Sequence, residues 1–210
     1  MQTLRERDTD LTIIIPVYNL EKFIEPMLES LKQQDTGIYK IQTIFVLNNC
    51  TDSTEQVIRQ YELDCEIINC EIQGCGPARN AGMEIATGEF IWFMDGDDWL
   101  LSTTAIKDVL EKAKRESLDI LRIPFESDGF RYNYFSMVWQ YVFRRGYINE
   151  FRFPDYQPAE DDAFMKEVLN KAGYNTQSFI FLPRMDRKLY YYNYLREGSN
   201  MYRVFFGEQI

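Results

Sequence analysis

Short apolar runs alternate along the first half of the chain with stretches whose apolar residues recur at helical spacing. Leu11-Thr12-Ile13-Ile14-Ile15 opens as a strand buried on both faces, and Pro16, which has no ladder donor, is expected to end it. Asn19 is placed to cap a helix reaching about Gln34, with Phe23, Met27, Leu28 and Leu31 on one face and Pro26 kinking it or delaying its start. Ile41 to Leu47 predicts a second strand. Asn48-Asn49-Cys50-Thr51-Asp52 is turn chemistry, followed by a helix from Ser53 to Leu63 capped by Ser53 or Asp52. Glu66-Ile67-Ile68 is a third strand, and the loop through Gly74-Cys75-Gly76-Pro77 opens a helix at Pro77. Phe90 to Met94 is a fourth buried strand, Ser102 caps a charged helix to about Ser117, and Asp119 to Ile123 is another strand. This alternation predicts a mostly parallel sheet with right-handed crossovers.

From Phe125 to Pro158 the pattern changes. Aromatics such as Phe130, Tyr134, Trp139, Tyr141, Phe143 and Phe153 crowd in, interleaved with Arg131, Arg144, Arg145 and Arg152. Two readings stay open: a core with snorkelling arginines, or a wall that stacks on sugar rings. Glu160, Asp161 and Asp162 then stand at a helix N-terminus, where the dipole favours negative charge, and the helix runs to about Ala172 with Gly173 as its C-cap. Phe179 to Leu182 and Leu189 to Tyr194 are expected strands, and Arg196-Glu197-Gly198-Ser199 a loop.

Chemistry enters at the end of the fourth strand, which delivers Asp95, Asp97 and Asp98 to a sheet edge. Open α/β sheets bind ligands beyond the carboxyl ends of their strands. Asp95 and Asp97, one residue apart in an extended segment with Gly96 between them, would face one side and suit a hard cation such as Mg2+ or Mn2+. The plainer reading is an acidic turn capping the next helix, in a chain where Asp and Glu total 33 of 210 residues.

The net charge of −10 argues against nucleic acid as a partner, since that binding needs Lys and Arg on phosphates. It also means that an anionic ligand at this edge needs a cation between: two charges 4 Å apart interact by about 4 kcal/mol at an effective dielectric of about 20. Histidine is absent, which removes Ser-His-Asp and Cys-His catalysis and leaves a carboxylate as general base. Cys50, Cys65, Cys70 and Cys75 form no Cys-x-x-Cys pair, so free thiols in a reducing, cytoplasmic setting are expected rather than zinc or disulfides. Met1 to Asp10 is polar, unlike a secretory signal, and no apolar run approaches a membrane span. Gly74-x-Gly76 imitates a dinucleotide fingerprint, but Arg79 occupies the last glycine position and speaks against NAD; two readings stay open, Arg79 and Asn80 meeting a ligand anion or a surface arginine at an ordinary helix start.

Four motifs in order resemble the family 2 glycosyltransferases of the GT-A fold, of the kind that build bacterial surface polysaccharides. They are Ile13 to Asn19, Ala78-Arg79-Asn80-Ala81-Gly82, Gly88 to Asp98, and Glu160-Asp161-x-x-Phe164. The resemblance implies an α/β fold with a mostly parallel central sheet flanked by helices and a C-terminal acceptor-side region. Residues 1–123 would form the nucleotide-sugar-binding half and 124–210 the acceptor-side half of one catalytic domain. It further implies a donor, of UDP-sugar type, whose base packs near Pro16, Val17 and Tyr18. Arg79 would lie near the diphosphate, Asp95 near ribose and metal, Asp97 on Mn2+ or Mg2+, and Asp161 would be the base of an inverting displacement. Glu160 and Arg196 are further candidates.

The second loop departs from the family's acidic pattern, so Asn48 and Asn49 would have to hydrogen-bond the nucleobase. The acceptor would be a glycan or a lipid-linked hydroxyl, the latter bringing the protein to the inner face of the membrane. A non-catalytic nucleotide or glycan-binding module of this fold is the alternative. A sugar nucleotidyltransferase is disfavoured, because Val17-Tyr18-Asn19-Leu20 is neither glycine-rich nor basic.

Overall fold

A computed structural model describes residues 9–127, 137–155, 160–174 and 182–193. The first half delivers β1 (Leu11–Val17), α1 (Glu25–Lys32), β2 (Ile41–Leu47), α2 (Thr54–Gln60), β3 (Glu66–Asn69), α3 (Cys75–Ile85) and β4 (Phe90–Phe93). These are followed by β5 (Trp99–Leu100), α4 (Ala105–Arg115), β6 (Ile120–Arg122), β7 (Phe125–Glu126), a 3-10 turn over Val138–Gln140, β8 (Tyr141–Arg144), α5 (Arg145–Ile148), α6 (Glu160–Lys171) and β9 (Tyr190–Tyr191). The main sheet has the order β3-β2-β1-β4-β8-β6, and β8 alone runs antiparallel to its neighbours. The expected mostly parallel sheet is therefore present. A smaller sheet has the order β5-β9-β7.

Strand alternation divides the core. Ile13, Ile15, Phe45 and Trp92 face α1 and α4, meeting Met27, Leu28, Val109 and Leu110. Ile14, Ile44, Val46, Ile91 and Phe93 face α3 and α6, meeting Ala78, Met83, Phe164 and Val168. Each such side chain contributes about 1.5–3 kcal/mol on burial. The two layers hold the sheet rigid, which fixes where its C-terminal edge stands. Helix α3 lies especially close to β1, since a Cβ on Gly82 would fall 2.4 Å from Ile14 Cγ2.

Several local expectations change. Pro16 does not end β1, which pairs with β2 through Val17. The bond from Met94 N–H to the Ile14 carbonyl shows even positions facing β4, and that pairing stops at Ile14↔Phe93, so the donor Pro16 lacks would have had no partner there. Asn19 does not cap α1. It takes a positive φ of 50° and hydrogen-bonds Thr51, while Pro26 sits in the first turn of a helix that starts at Glu25. Pro77 is the third residue of α3 rather than the first. The predicted strand at Leu189 to Tyr194 shrinks to Tyr190–Tyr191.

Of the described aromatics in this stretch, Trp139, Tyr141, Phe143 and Phe153 are buried and Phe125, Tyr147 and Phe151 half-buried. Tyr141 and Phe143 enter the main sheet on β8, and Phe153 stacks on Phe164 at 4.0 Å. Arg144 lies 4.8 Å from the centre of the Phe90 ring and pairs with Glu89 and Asp119, as snorkelling predicts. Phe130, Arg131, Tyr132, Tyr134 and Phe135, the expected strand at 179–181, and the loop holding Arg196 lie outside the described residues. Among the described residues no helix is long and apolar enough to cross a membrane.

Candidate active site

The C-terminal edge is stepped. β1, β2 and β3 end level, through the pairings Val17↔Leu47 and Leu47↔Asn69, whereas the pairing of β4 stops at Ile14↔Phe93. The acidic segment after β4 turns in the recess this leaves. Asp98 N–H closes the turn on the Asp95 carbonyl at 3.1 Å, so Asp95 and Asp97 sit in a turn and not in the extended segment expected. A Cβ on Gly96 would lie 2.8 Å from both Leu20 Cδ1 and Val17 Cγ1, so only glycine lets the turn pack against the end of β1.

The three carboxylates then separate. Asp95 and Asp97 are half-buried at the rim, while Asp98 is fully buried. Asp98 accepts the Tyr190 hydroxyl at 2.7 Å and the Asn193 N–H at 2.8 Å. Burial, with Asp97 and Asp95 nearby, raises its pKa well above the usual carboxylate range.

Arg79, only 3% exposed, gathers the remaining acids. Nη1 donates to Asp161 at 2.6 Å, Nη2 donates to Asp95 at 3.0 Å, and Glu160 stands 3.7 Å from Nη1. Its guanidinium also lies 5.4 Å from the centre of the Phe153 ring. Burial opposes its charge, but Asp161 and Asp95 outweigh this and hold its pKa above the ordinary value. Burial pushes Asp161 up to about 7 against the pull of Arg79, with Asp95 and Glu160 adding to the rise. Asp95 is likewise raised by burial, opposed by Arg79 and reinforced by Asp97. Cys75 beside them is pushed up to about 12 by burial, which leaves a thiol unsuited to attack.

Asn80, one of the two residues open to meeting a ligand anion, turns its amide to the backbone. Its amide donates to the Phe153 carbonyl at 2.7 Å and accepts the Phe153 N–H at 2.9 Å, clamping α3 to the segment that leads toward α6. Gly76 permits the same approach, since a Cβ there would lie 2.7 Å from the Pro154 carbonyl. Together they bring Asp161 to Arg79 across 82 positions of sequence.

On the other side of the edge, Pro16 and Val17 are buried and Tyr18 is 52% exposed. Asn48 is buried: Nδ2 donates to the carbonyls of Cys70 and Ile72 at 3.1 and 2.7 Å, and Oδ1 accepts the Gly74 N–H at 2.8 Å. Both Nδ2 protons are thereby committed to joining the ends of β2 and β3 to the entry of α3, and only the second lone pair of Oδ1 is left for the contact with a nucleobase that was expected. Asn49 is exposed, donating to the Glu71 carbonyl at 3.2 Å. An open cavity of about 500 Å3 lies here, lined by Asn49, Thr51, Asp52, Asn69 and Glu71 among others. Asn48→Asp, although it supplies the acid typical of related loops, is expected to destabilise the fold by about 3 kcal/mol, because it faces two carbonyls with a buried carboxylate. Urea denaturation checks this, and an equally stable variant would contradict the assignment.

Sequence reasoning missed the inward role of Asp98 and the part played by Tyr190. Neither has a local signal beyond its place in an acidic or aromatic run.

For a divalent ion, Asp95 and Asp97 offer hard oxygen donors at the rim, but among the described residues no three His, Cys, Asp or Glu side chains are grouped to hold one. Mg2+-type ions are commonly held by one or two carboxylates together with water and substrate phosphates. The donor set thus fits such an ion in company with a diphosphate.

A mostly parallel sheet with acidic side chains beyond the C-terminal end of β4 defines an open α/β protein of the kind that binds ligands at that edge. Residues 12–179 match the family model described as glycosyl transferase family 2, and the chain belongs to that family. It is 29% identical over 217 residues to the Staphylococcus aureus poly(ribitol-phosphate) beta-N-acetylglucosaminyltransferase TarS, a match covering 90% of this chain and 36% of that protein. It is 38% identical over 93 residues to the putative glycosyltransferase EpsH of Bacillus subtilis, covering 43% of this chain and 26% of the relative. The chain thus spans about a third of these curated relatives' length.

The crystal structure of S. aureus TarS 1–349 in complex with UDP-GlcNAc superposes with a TM-score of 0.78 at 24% identity, covering 92% of this chain and 61% of that one. The mannosyltransferase PcManGT of Pyrobaculum calidifontis, in complex with GDP-Man and Mn2+, superposes with a TM-score of 0.71 at 18% identity, covering 92% and 59%. The fold is GT-A.

Proposed function

We propose that the protein is an inverting glycosyltransferase that moves a sugar from a nucleoside diphosphate sugar to an acceptor hydroxyl. The observation that carries this reading is the bridge from Arg79 to Asp161 and Asp95, which joins a candidate base to the donor edge in one site. In the reaction the acceptor oxygen bonds to the anomeric carbon, the bond from that carbon to the diphosphate oxygen breaks, and the acceptor proton passes to Asp161. A carboxylate titrating near neutrality is well matched to that task. Arg79 orients Asp161 and favours its ionised form.

The donor side comprises Pro16, Val17, the exposed Tyr18, Asn49, Asp95 and Asp97 within residues 1–123, and residues 124–210 supply the acceptor side. Mn2+ or Mg2+ held by Asp97 and Asp95 would neutralise charge on the departing diphosphate. A UDP sugar is the favoured donor, because TarS has been crystallised with UDP and with UDP-GlcNAc. The acceptor is a glycan or a lipid-linked glycan on the cytoplasmic side of a membrane, in line with the surface-polymer names of the relatives.

Asp97→Ala is expected to abolish the metal-dependent part of UDP-GlcNAc binding measured by calorimetry with Mn2+. Unchanged affinity would remove Asp97 from the site. Donor binding without transfer to any glycan or polyol-phosphate acceptor would favour the binding-module reading instead.

A further inference from the structure

The turn bearing Asp95 and Asp97 is fastened from outside by one phenol. The Tyr190 oxygen accepts the Asp95 N–H at 3.1 Å and donates to Asp98 Oδ2 at 2.7 Å, so it grips both ends of the turn at once. The other oxygen of Asp98 takes the Asn193 N–H, which ties the chain after β9 to the same point. The centre of this link lies away from water, Asp98 and Tyr190 being fully buried, while Asp95 and Asn193 at its ends are half-buried.

The ring itself is held. It stacks on Trp139 at 4.9 Å with planes 10° apart, packs against Trp92 at 6.3 Å, and its backbone pairs with Leu100 on β5 and Phe125 on β7. Trp92 belongs to β4 and donates its indole N–H to the Trp139 carbonyl, so the clamp stands on the same strand that ends in the turn. Capping of a helix explains none of this, and a carboxylate whose two oxygens both serve the turn's outer support has no share in ligand contact.

We propose that Tyr190, acting through Asp98 and the Asp95 backbone, is a positioning residue for donor binding. It fixes the backbone of Asp95-Gly96-Asp97 so that the two rim carboxylates are presented together before a ligand arrives. The role rests on the transferase reading. Without the hydroxyl, the Asp95 N–H and one Asp98 oxygen lose their partner, the turn samples other shapes, and ligand binding must bear the cost of ordering it.

Tyr190→Phe keeps the ring and its stacking, so the fold is expected to persist with a modest drop in melting temperature. Calorimetry with UDP across a Mn2+ titration should show roughly tenfold weaker metal-dependent binding and a higher Mn2+ requirement, with UDP binding in the absence of metal unchanged. A merely structural role would lower the melting temperature and leave the Mn2+ requirement where it was. If the parent binds UDP with Mn2+ and Tyr190→Phe matches it, the role is overturned alone. If the parent shows no Mn2+-dependent UDP binding, the transferase reading falls and the role with it.

Discussion

Asp161→Asn is expected to bind UDP-GlcNAc as the parent does and to lose transfer by about 10²–10⁴-fold, the usual contribution of a positioned base. The substitution keeps size and one oxygen to accept from Arg79 Nη1, giving up only the 3.3 Å bond from the Val138 N–H to the second oxygen, so the site should persist while its proton acceptor is gone. UDP release across a panel of glycan and polyol-phosphate acceptors measures the loss, and calorimetry measures retained binding. A variant with parental turnover would take Asp161 out of the mechanism. The same assignment fixes the pH dependence: because burial holds Asp161 up to about 7, kcat/KM of the parent should fall tenfold per pH unit below that value as the carboxylate takes a proton.

Arg79→Met is expected to destabilise the protein by about 3–5 kcal/mol, since it removes one member of a buried ionic group and leaves the others uncompensated. Its side chain is 4% exposed and faces Asp161, Asp95 and Glu160. The loss should depend on pH. A carboxylate whose folded pKa exceeds its unfolded value contributes most below the unfolded value and loses that contribution as pH rises through the folded one. For Asp161 in the parent the window runs from 3.8 to about 7. Without the guanidinium it widens upward, so urea denaturation should show the variant's deficit largest above pH 7 and nearly closed near pH 4. A deficit independent of pH would mean that Arg79 matters for packing and not for charge.

These two side chains illustrate what was legible in advance. The motif around Arg79 and the acidic start of α6 stand out in the sequence as separate patterns, yet nothing local says that they meet. Asn80, near a helix N-terminus, was one open candidate for a ligand anion, and the family resemblance implied Asn48 at a nucleobase. Both instead hold backbone carbonyls and N–H groups of segments 22 to 73 positions away. An amide's availability depends on which unpaired backbone groups the fold leaves beside it.

The sequence by itself determined the alternation of β1 to β4 with α1 to α3, the placing of acids at the end of β4, and the acidic first turn of α6. Each of these follows from periodicity or from residues a few positions apart. Tertiary structure alone decided that β8 enters the sheet antiparallel between β4 and β6, that Asp98 turns inward, and that Arg79 and Tyr190 join segments 82 and 95 positions apart. Such contacts form only when helices and strands pack on both faces of the sheet, and no short-range pattern encodes which polar group will be waiting on the other side.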